Sequence, residues 1–383
     1  MMLSLTGLAA STLLALGAVC LSGCANFGYY WQSTRGHLEM MNAARPVQEV
    51  LGDATTPEPL KARLALSQRI RRFATDTLKL PDNPSYRRYA DLQRNAVVWN
   101  VVAAPALSLT LKTWCFPVTG CIGYRGYFAE ADAQQEAAQL RVQGLEASVY
   151  GVPAYSTLGW LNWAGGDPLL NTFIHYPDGE LARLVFHELA HQVVYASGDT
   201  MFNESFATAV ERLGGERWLS EQAPPTTRQA YEAFNTRRQQ FRALAATTRG
   251  ALTAIYESKP VPAQTNESLI AAQLAAKEIT MQRFRHDYAA LKNSWGGFAG
   301  YDGWVARANN ASFGAQAAYD DLVPGFLALF EDEDRDWPSF YAAVKALAAL
   351  PQAERHAALK NADATPSPPT NSTESPLNGR YPH

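Results

Sequence analysis

Charge is scarce in this chain and nearly balanced. Thirty-three Lys and Arg face 36 Asp and Glu among 383 residues, a net charge of −3 with a pI near 6.2. The charges are scattered, and no basic stripe marks a nucleic-acid footprint, so nucleic acid is excluded as a partner. No internal repeat of solenoid type is present. Cysteine is rare, with four residues in all. Charge is missing entirely from Leu3 to Leu21. Beyond that run about 360 residues remain, ample for a buried core in one large domain or two lobes.

The uncharged run is short, apolar and small-residue-rich, and closes in Leu21-Ser22-Gly23-Cys24. That ending resembles a bacterial lipobox, in which the cysteine is acylated and becomes the new N-terminus. Residues 1–23 are then expected to be a lipoprotein signal peptide, although only the α-amino group supplies its positive charge. A plain transmembrane anchor is the alternative, since the run is about long enough to span. Gly7, Gly17, the serines and the lipobox favour processing. Either way the rest of the chain leaves the cytoplasm. Ala25 after the cysteine resembles an outer-membrane address, facing the periplasm. Cys20 lies in the signal and Cys24 carries lipid, which leaves Cys115 and Cys121. An oxidising compartment permits a disulfide between them, with Pro117 and Gly120 turning the chain. Zinc binding by this pair is the rival, weakened by the absence of a nearby histidine.

The most informative stretch is Leu184-Val185-Phe186-His187-Glu188-Leu189-Ala190-His191-Gln192. Its H-E-x-x-H run projects two imidazoles from one face of a helix, close enough to grip one metal ion. The glutamate between them sits one residue along, where it reaches the attacking water rather than the metal. Pro177-Asp178-Gly179 breaks the chain just upstream, and Asp178 is expected to cap the helix. Leu181, Leu184, Val185, Leu189 and Val193 form its apolar stripe, and Gly198 is expected to end it. A catalytic zinc takes three protein ligands, so one more is needed. The bland reading, a solvated His-Glu-His face, leaves the following segment unexplained.

That segment is Phe202-Asn203-Glu204-Ser205-Phe206-Ala207, with Glu211 seven residues after Glu204. It resembles the second zinc-ligand helix of the gluzincins, the thermolysin-like and M1-aminopeptidase-like metallopeptidases. The resemblance implies one zinc ion held by His187, His191 and Glu204, with Glu188 as general base. Twelve residues separate His191 from Glu204, fewer than in the large gluzincin families; Glu211, with nineteen between, fits their spacing. The Asn-Glu-x-Phe-Ala pattern favours Glu204, and Glu211 is expected to orient a histidine from behind or to be an exposed helix acid. Asp199 has the same two readings, histidine partner or turn residue. A closer resemblance is to a family of bacterial aminopeptidase lipoproteins. It is carried by the motif pair together with Tyr29-Tyr30-Trp31-Gln32, Gly120-Cys121, Tyr124-Arg125-Gly126-Tyr127-Phe128, Tyr155-Ser156-Thr157-Leu158-Gly159-Trp160, Asn309-Asn310-Ala311, Tyr319 and Val323-Pro324. It covers nearly the whole mature chain.

The expected fold is α+β and mainly α: a zincin-like metallopeptidase domain over 24–360, with a small sheet beside the H-E-x-x-H helix and a long helical C-terminal part. Residues from about Gln48 to Leu78 read as helical, with Arg63, Arg69, Arg71 and Arg72 on a solvated face. Ala96–Leu109 suggests a buried strand pair or apolar segment, Glu130–Gln143 a helix and Leu145–Tyr150 a strand. Thr226–Tyr256 and Glu267–Leu291 suggest a helical hairpin, taken as scaffolding. Gly296-Gly297 and Asp302-Gly303 punctuate a loop before a last helical region ending near Lys360. The tail 361–383 is Pro-, Ser-, Thr- and Asn-rich and is expected to be disordered.

The function expected is zinc-dependent hydrolysis of a peptide or protein substrate at the envelope, aminopeptidase-like by resemblance. Tyr155 and Ser156 are candidate substrate contacts, because the edge strand that pairs with substrate in gluzincins lies at a similar distance before the histidines; an aromatic turn in the core is the alternative. Tyr319 is the candidate oxyanion donor, with His286 and Tyr301 as rivals and a packed core tyrosine as the bland reading. His356 and His383 are not expected to bind metal. M1 aminopeptidases hold the substrate amine with a Gly-Ala-Met-Glu-Asn segment, which is missing here. Asp167, in a Gly165-Gly166-Asp167-Pro168 turn, is the nearest acid to the substrate block. Internal cleavage therefore stays open, as does a catalytically idle, lipid-anchored assembly or chaperone protein.

Overall fold

The computed structural model describes residues 28–364 except 117–119, 155, 158, 160–161 and 261–264, and only the backbone of 164, 318–320 and 362–364. The expected signal peptide and lipobox and most of the expected tail lie outside the described residues. The chain begins with helix α1 (28–43), then β1 (Arg45–Pro46), α2 (Val47–Gly52) and α3 (Glu58–Asp76). The single helix expected over 48–78 is thus two, because Pro57 ends the intervening loop and starts α3 at its N-cap. Strand β2 (Arg88–Ala90) pairs with β1 and, in parallel, with β8 (Leu169–Leu170). Strand β3 (Val98–Pro105) is the centre of a second antiparallel sheet, flanked by β6 (Arg125–Tyr127) and β7 (Leu145–Val152). The apolar segment 96–109 is therefore one central strand, not a pair. Its residues Val101–Ala104 are buried under α4 (Glu130–Val142) on one face and α10 (Asn310–Asp320) on the other. Between β3 and β6, β4 (Trp114–Phe116) and β5 (Gly120–Ile122) form a hairpin closed by the Cys115–Cys121 disulfide.

The remainder is helical: α5 (Asp178–Ala190), α6 (Thr200–Gln222), α7 (Pro225–Tyr256), α8 (Asn266–Ser294), α9 (Asp302–Arg307), α10, α11 (Val323–Asp332), α12 (Trp337–Ala349) and α13 (Gln352–Ala364). Helix α13 carries four residues past the expected end at Lys360. The main core gathers α1–α3, α5, α6 and α11–α13, with Phe202 and Phe206 of α6 edge-on or tilted against Phe326 of α11 and Phe206 against Phe340 of α12. A second core joins α7 and α8 as the expected antiparallel hairpin, through Phe241, Phe284, Tyr288 and Phe313.

Two local readings need correction. Arg71 is buried at 2 % exposure, not solvated; its guanidinium donates to the carbonyls of Pro81, Ser85 and Asn83 and so ties the 81–85 loop to α3. Arg63 is likewise partly buried, donating to the Ile174 and Tyr176 carbonyls and pairing with Asp178. Asp178 is therefore not the cap of α5. It is the first helical residue after Pro177, and its charge is spent on Arg63 while favouring the helix N-terminus.

Candidate active site

Helices α5 and α6 pack closely because α6 carries glycine where α5 is bulky. A Cβ on Gly214 would stand 3.1 Å from Phe186 Cδ2 and 2.6 Å from Leu78 Cδ1, and one on Gly215 would stand 2.6 Å from Arg183 Cγ. The connection between the helices is short and pinned. Helix α5 stops at Ala190, earlier than the expected end at Gly198, with His191 already at its C-cap. Gly198 instead turns the chain in the left-handed region, at φ +79°, just before α6. The Asn203 side chain spans the loop in both senses: its Oδ1 accepts from Ala196 N at 2.7 Å and its Nδ2 donates to Ala196 O at 2.8 Å. Asp199 caps α6 by accepting from Phe202 N at 3.1 Å. This clamp explains how Glu204 returns to the histidines after so few residues.

The geometry decides between the two glutamates, which lie seven residues apart on one face of α6. His187 Nε2 lies 3.2 Å from His191 Nε2 and 3.3 Å from Glu204 Oε2, and His191 Nε2 lies 3.7 Å from that oxygen. His187 Nδ1, on the other side of the ring, meets Glu211 Oε2 at 3.1 Å. Donors held tetrahedrally at zinc's usual 2.0–2.1 Å are separated by about 3.4 Å, so the three converging atoms fit the edges of such a site. Two facing imidazole nitrogens and a carboxylate are also the right chemistry for it. His187, His191 and Glu204 are the metal set. Glu211 stands behind His187, and its other oxygen pairs with the buried Arg183, which also donates to Tyr231. Burial opposes protonation of His187, but the hydrogen bonds and charges of Glu204 and Glu211 raise its pKa. Burial opposes ionisation of Glu211 too; Arg183 overrides it and keeps the carboxylate charged.

Glu188 faces the same cleft of 580 Å³ without belonging to the metal set. Burial raises its pKa to about 7, assisted by the charge of Glu204 and opposed by His187. Across the cleft stand Val98 and Asn100 of β3, Tyr124 before β6, and Tyr29, Tyr30 and Ser33 of α1. Burial raises the Tyr124 pKa, and the charges of Glu204 and Glu188 add to it; Tyr124 lines the same cleft as the metal set and the base. Tyr195, also in the cleft, is raised to about 12 by burial and Glu204. Neither tyrosine was singled out for a role from sequence, although Tyr124 opens one of the blocks noted there. A tyrosine in a loop before a three-residue strand has no spacing signal tying it to the histidines.

Other expected residues fall elsewhere. Asp199 does partner a histidine, but it is His356 of α13, at 2.9 and 3.0 Å, with Arg355 at 3.4 Å; none of them joins the metal set. Asp167 is fully buried and turned into its own loop. It accepts from Thr157 Oγ1 at 2.8 Å, from Thr157 N at 3.1 Å, and from Ser156 Oγ and Gln192 Nε2 at 3.4 Å. Burial raises its pKa to about 6. Ser156 lines the cleft; Tyr155, Leu158 and Trp160 lie outside the described residues. So does the side chain of Tyr319, whose backbone is in α10. His286 is exposed on α8, paired with Asp287, and Tyr301 belongs to the α7–α8 core.

A family model described as "Putative aminopeptidase" matches residues 28–359. No curated protein and no solved structure matches the chain. The chain belongs to this aminopeptidase family, and the metal set places it among gluzincin-type zinc peptidases.

Proposed function

We propose that this zinc peptidase removes residues from the N-termini of peptides at the cell envelope, with Glu188 as its general base. The observation that carries the catalytic part is the position of Glu188, half-buried in the cleft of the three metal donors yet outside the donor set. Zinc, when bound, supplies Lewis acidity that activates water and polarises the scissile carbonyl. Glu188 takes a proton from the attacking water and passes it to the leaving amine. Glu211 fixes the ring of His187, and Arg183 fixes Glu211. Tyr124, which lines the same cleft, donates to the oxyanion as it forms. An idle assembly protein has no use for a base in this position.

Family membership supports an aminopeptidase. One observation favours internal cleavage as the second reading: among the described residues, the cleft has no carboxylate besides Glu188 and Glu204. A desolvated substrate ammonium needs a partner, and Asp167 is already committed to its own loop. In an aminopeptidase, the amine then rests on neutral acceptors such as Asn100 and Ser33 and on aromatic faces. Hydrolysis of one peptide with a free and with an acetylated N-terminus separates the readings. The aminopeptidase reading expects the free form to be cut and the acetylated form spared; equal cleavage of both overturns it.

The envelope location rests on the lipobox-like Leu21-Ser22-Gly23-Cys24 and is supported by the Cys115–Cys121 disulfide, which suits an oxidising compartment. Helix α1 starts four residues after Cys24 and supplies one wall of the cleft, with Tyr30, Trp31 and Leu38 exposed. Aromatic and apolar groups of this kind suit a membrane interface. Among the described residues, no helix is long and apolar enough to cross a membrane. Fatty-acid labelling of cells is expected to mark the wild type and not Cys24→Ala; equal labelling would remove the lipid anchor from this reading.

A further inference from the structure

A second cavity, of 460 Å³, lies on the far side of β7 from β3, between α7, α9 and α10. Its composition is unusual. Phe241 and Tyr301 stack face to face at 4.0 Å, and Trp304 stands edge-on to Phe241 at 5.3 Å. Three arginines, Arg238, Arg242 and Arg307, share the lining, and no acidic residue does. Arg238 is paired with Glu180 outside the cavity, and Arg242 feels the charge of Glu211. Arg307 has no carboxylate within salt-bridge distance among the described residues, and it is exposed. The arginines reach the Tyr301 hydroxyl as well: burial raises its pKa, while Arg238 and Arg242 pull it down. The cavity therefore combines flat apolar walls with one arginine, Arg307, that has no acidic partner among the described residues.

The cavity adjoins the catalytic cleft. Tyr150 of β7 lines it, is hydrogen-bonded to Asn100 and feels Glu204, while Asn100 lines the cleft. β7 is an edge strand of its sheet. Since Val152 O accepts from Val97 N, towards β3, and Ala147 O accepts from Arg141 and Asn309, away from it, alternation turns the backbone groups of Val149 outward as well.

We propose that this cavity binds a carboxylate carried on an apolar body and that, in the peptidase, it takes the free C-terminal carboxylate and large apolar last side chain of a short peptide. Arg307 meets the carboxylate, as a guanidinium group does in a charge-assisted, fork-like pair. The side chain packs beside the stacked Phe241–Tyr301 pair and Trp304. The substrate role rests on the peptidase reading above; binding of the anion does not.

Two measurements on the full chain test this. In the first, 4-phenylbutyrate and its neutral analogue 4-phenylbutan-1-ol are titrated into the protein by calorimetry, with zinc present and after chelation. The acid is expected to bind in both states, about tenfold tighter than the alcohol, and to lose that advantage in Arg307→Gln. Trp304→Ala is expected to weaken both probes. Equal binding of acid and alcohol, or acid binding that vanishes with zinc and ignores Arg307→Gln, overturns the proposal, the latter placing the anion on the metal. In the second, one peptide ending in Phe is compared with its C-terminal amide. The acid is expected to have a KM about tenfold lower, with the difference abolished and kcat kept in Arg307→Gln. Equal KM values overturn the substrate role. If no peptide is hydrolysed, the peptidase reading fails and the first measurement still decides whether the cavity binds the anion.

Discussion

The α5–α6 pair and the α7–α8 pair are both antiparallel helix packings, and they solve opposite problems. In α5–α6 the functional groups are buried or half-buried, and most have their place fixed by a neighbour: His187 between Glu204 and Glu211, Glu211 by Arg183, the loop by Asn203. In α7–α8 the core contacts are largely aromatic, and arginines line the cavity beside them. The first region sets three donor atoms to within tenths of an ångström. The second offers shape and charge with room for a guest. Geometry for a metal comes from a short polar-clamped connection, whereas a place for substrate comes from a cavity left open beside stacked aromatic rings.

Substitutions should divide along that line. In α5–α6 the largest effect is expected for Glu188→Gln, a fall in kcat of about 10²–10⁴-fold with about one zinc per chain retained. Metal analysis beside the rate checks it; a metal-loaded Glu188→Gln protein with full activity would falsify the role of the base. Glu204→Gln is expected to lose the metal itself, and its activity with it. Tyr124→Phe, across the cleft, should lower kcat by about 10²–10³ with little change in KM. If it leaves kcat unchanged, the oxyanion donor lies elsewhere, Tyr195 being the next to test. Glu211→Gln should weaken zinc binding by about 10–100-fold, less than Glu204→Gln. The reverse order in a chelator competition would transfer the third-ligand role to Glu211. Arg307→Gln, in the α7–α8 region, is expected to change neither zinc content nor kcat.

What could be read from sequence follows the same division. The H-E-x-x-H helix, the choice of Glu204, the strand at 145–150 and the helical hairpin were legible because each is a local pattern: a fixed spacing, an alternation, a helical period. Glu211 behind His187 was legible as an option, since seven residues on a helix restore the same face. What sequence missed depends on contacts between distant segments. Arg71 is in an amphipathic helix and would be solvated but for the carbonyls of 81–85 that fold over it. Asp178 sits where a cap belongs, but Arg63, 115 positions earlier, takes its charge and Pro177 takes the cap position. Asp199 meets His356 across 157 positions. The arginine-lined cavity draws on four elements from 148 to 316, and no window of sequence contains it.

The smallest expected effect belongs to Asp167, the buried carboxylate between the two regions' concerns, neither ligand nor substrate contact. Its pKa is raised by burial to about 6, against 3.8 for the unperturbed group. The folded state thus holds the proton more tightly than the unfolded state. Its contribution to stability is complete below the unfolded value, declines as pH rises from about 4 to about 6, and is level above that. The whole span corresponds to about 3 kcal/mol at most. Asp167→Asn should remove this dependence, because the amide does not titrate and its oxygen can still accept from Thr157. The difference in unfolding free energy between variant and wild type cancels every other titrating group, so it should move in the variant's favour between pH 4 and pH 6 and then stop changing. Denaturant unfolding of both proteins at several pH values measures that difference. A difference independent of pH would mean that Asp167 keeps an ordinary carboxylate pKa, and that the hydrogen bonds from Thr157, Ser156 and Gln192 fully offset its burial.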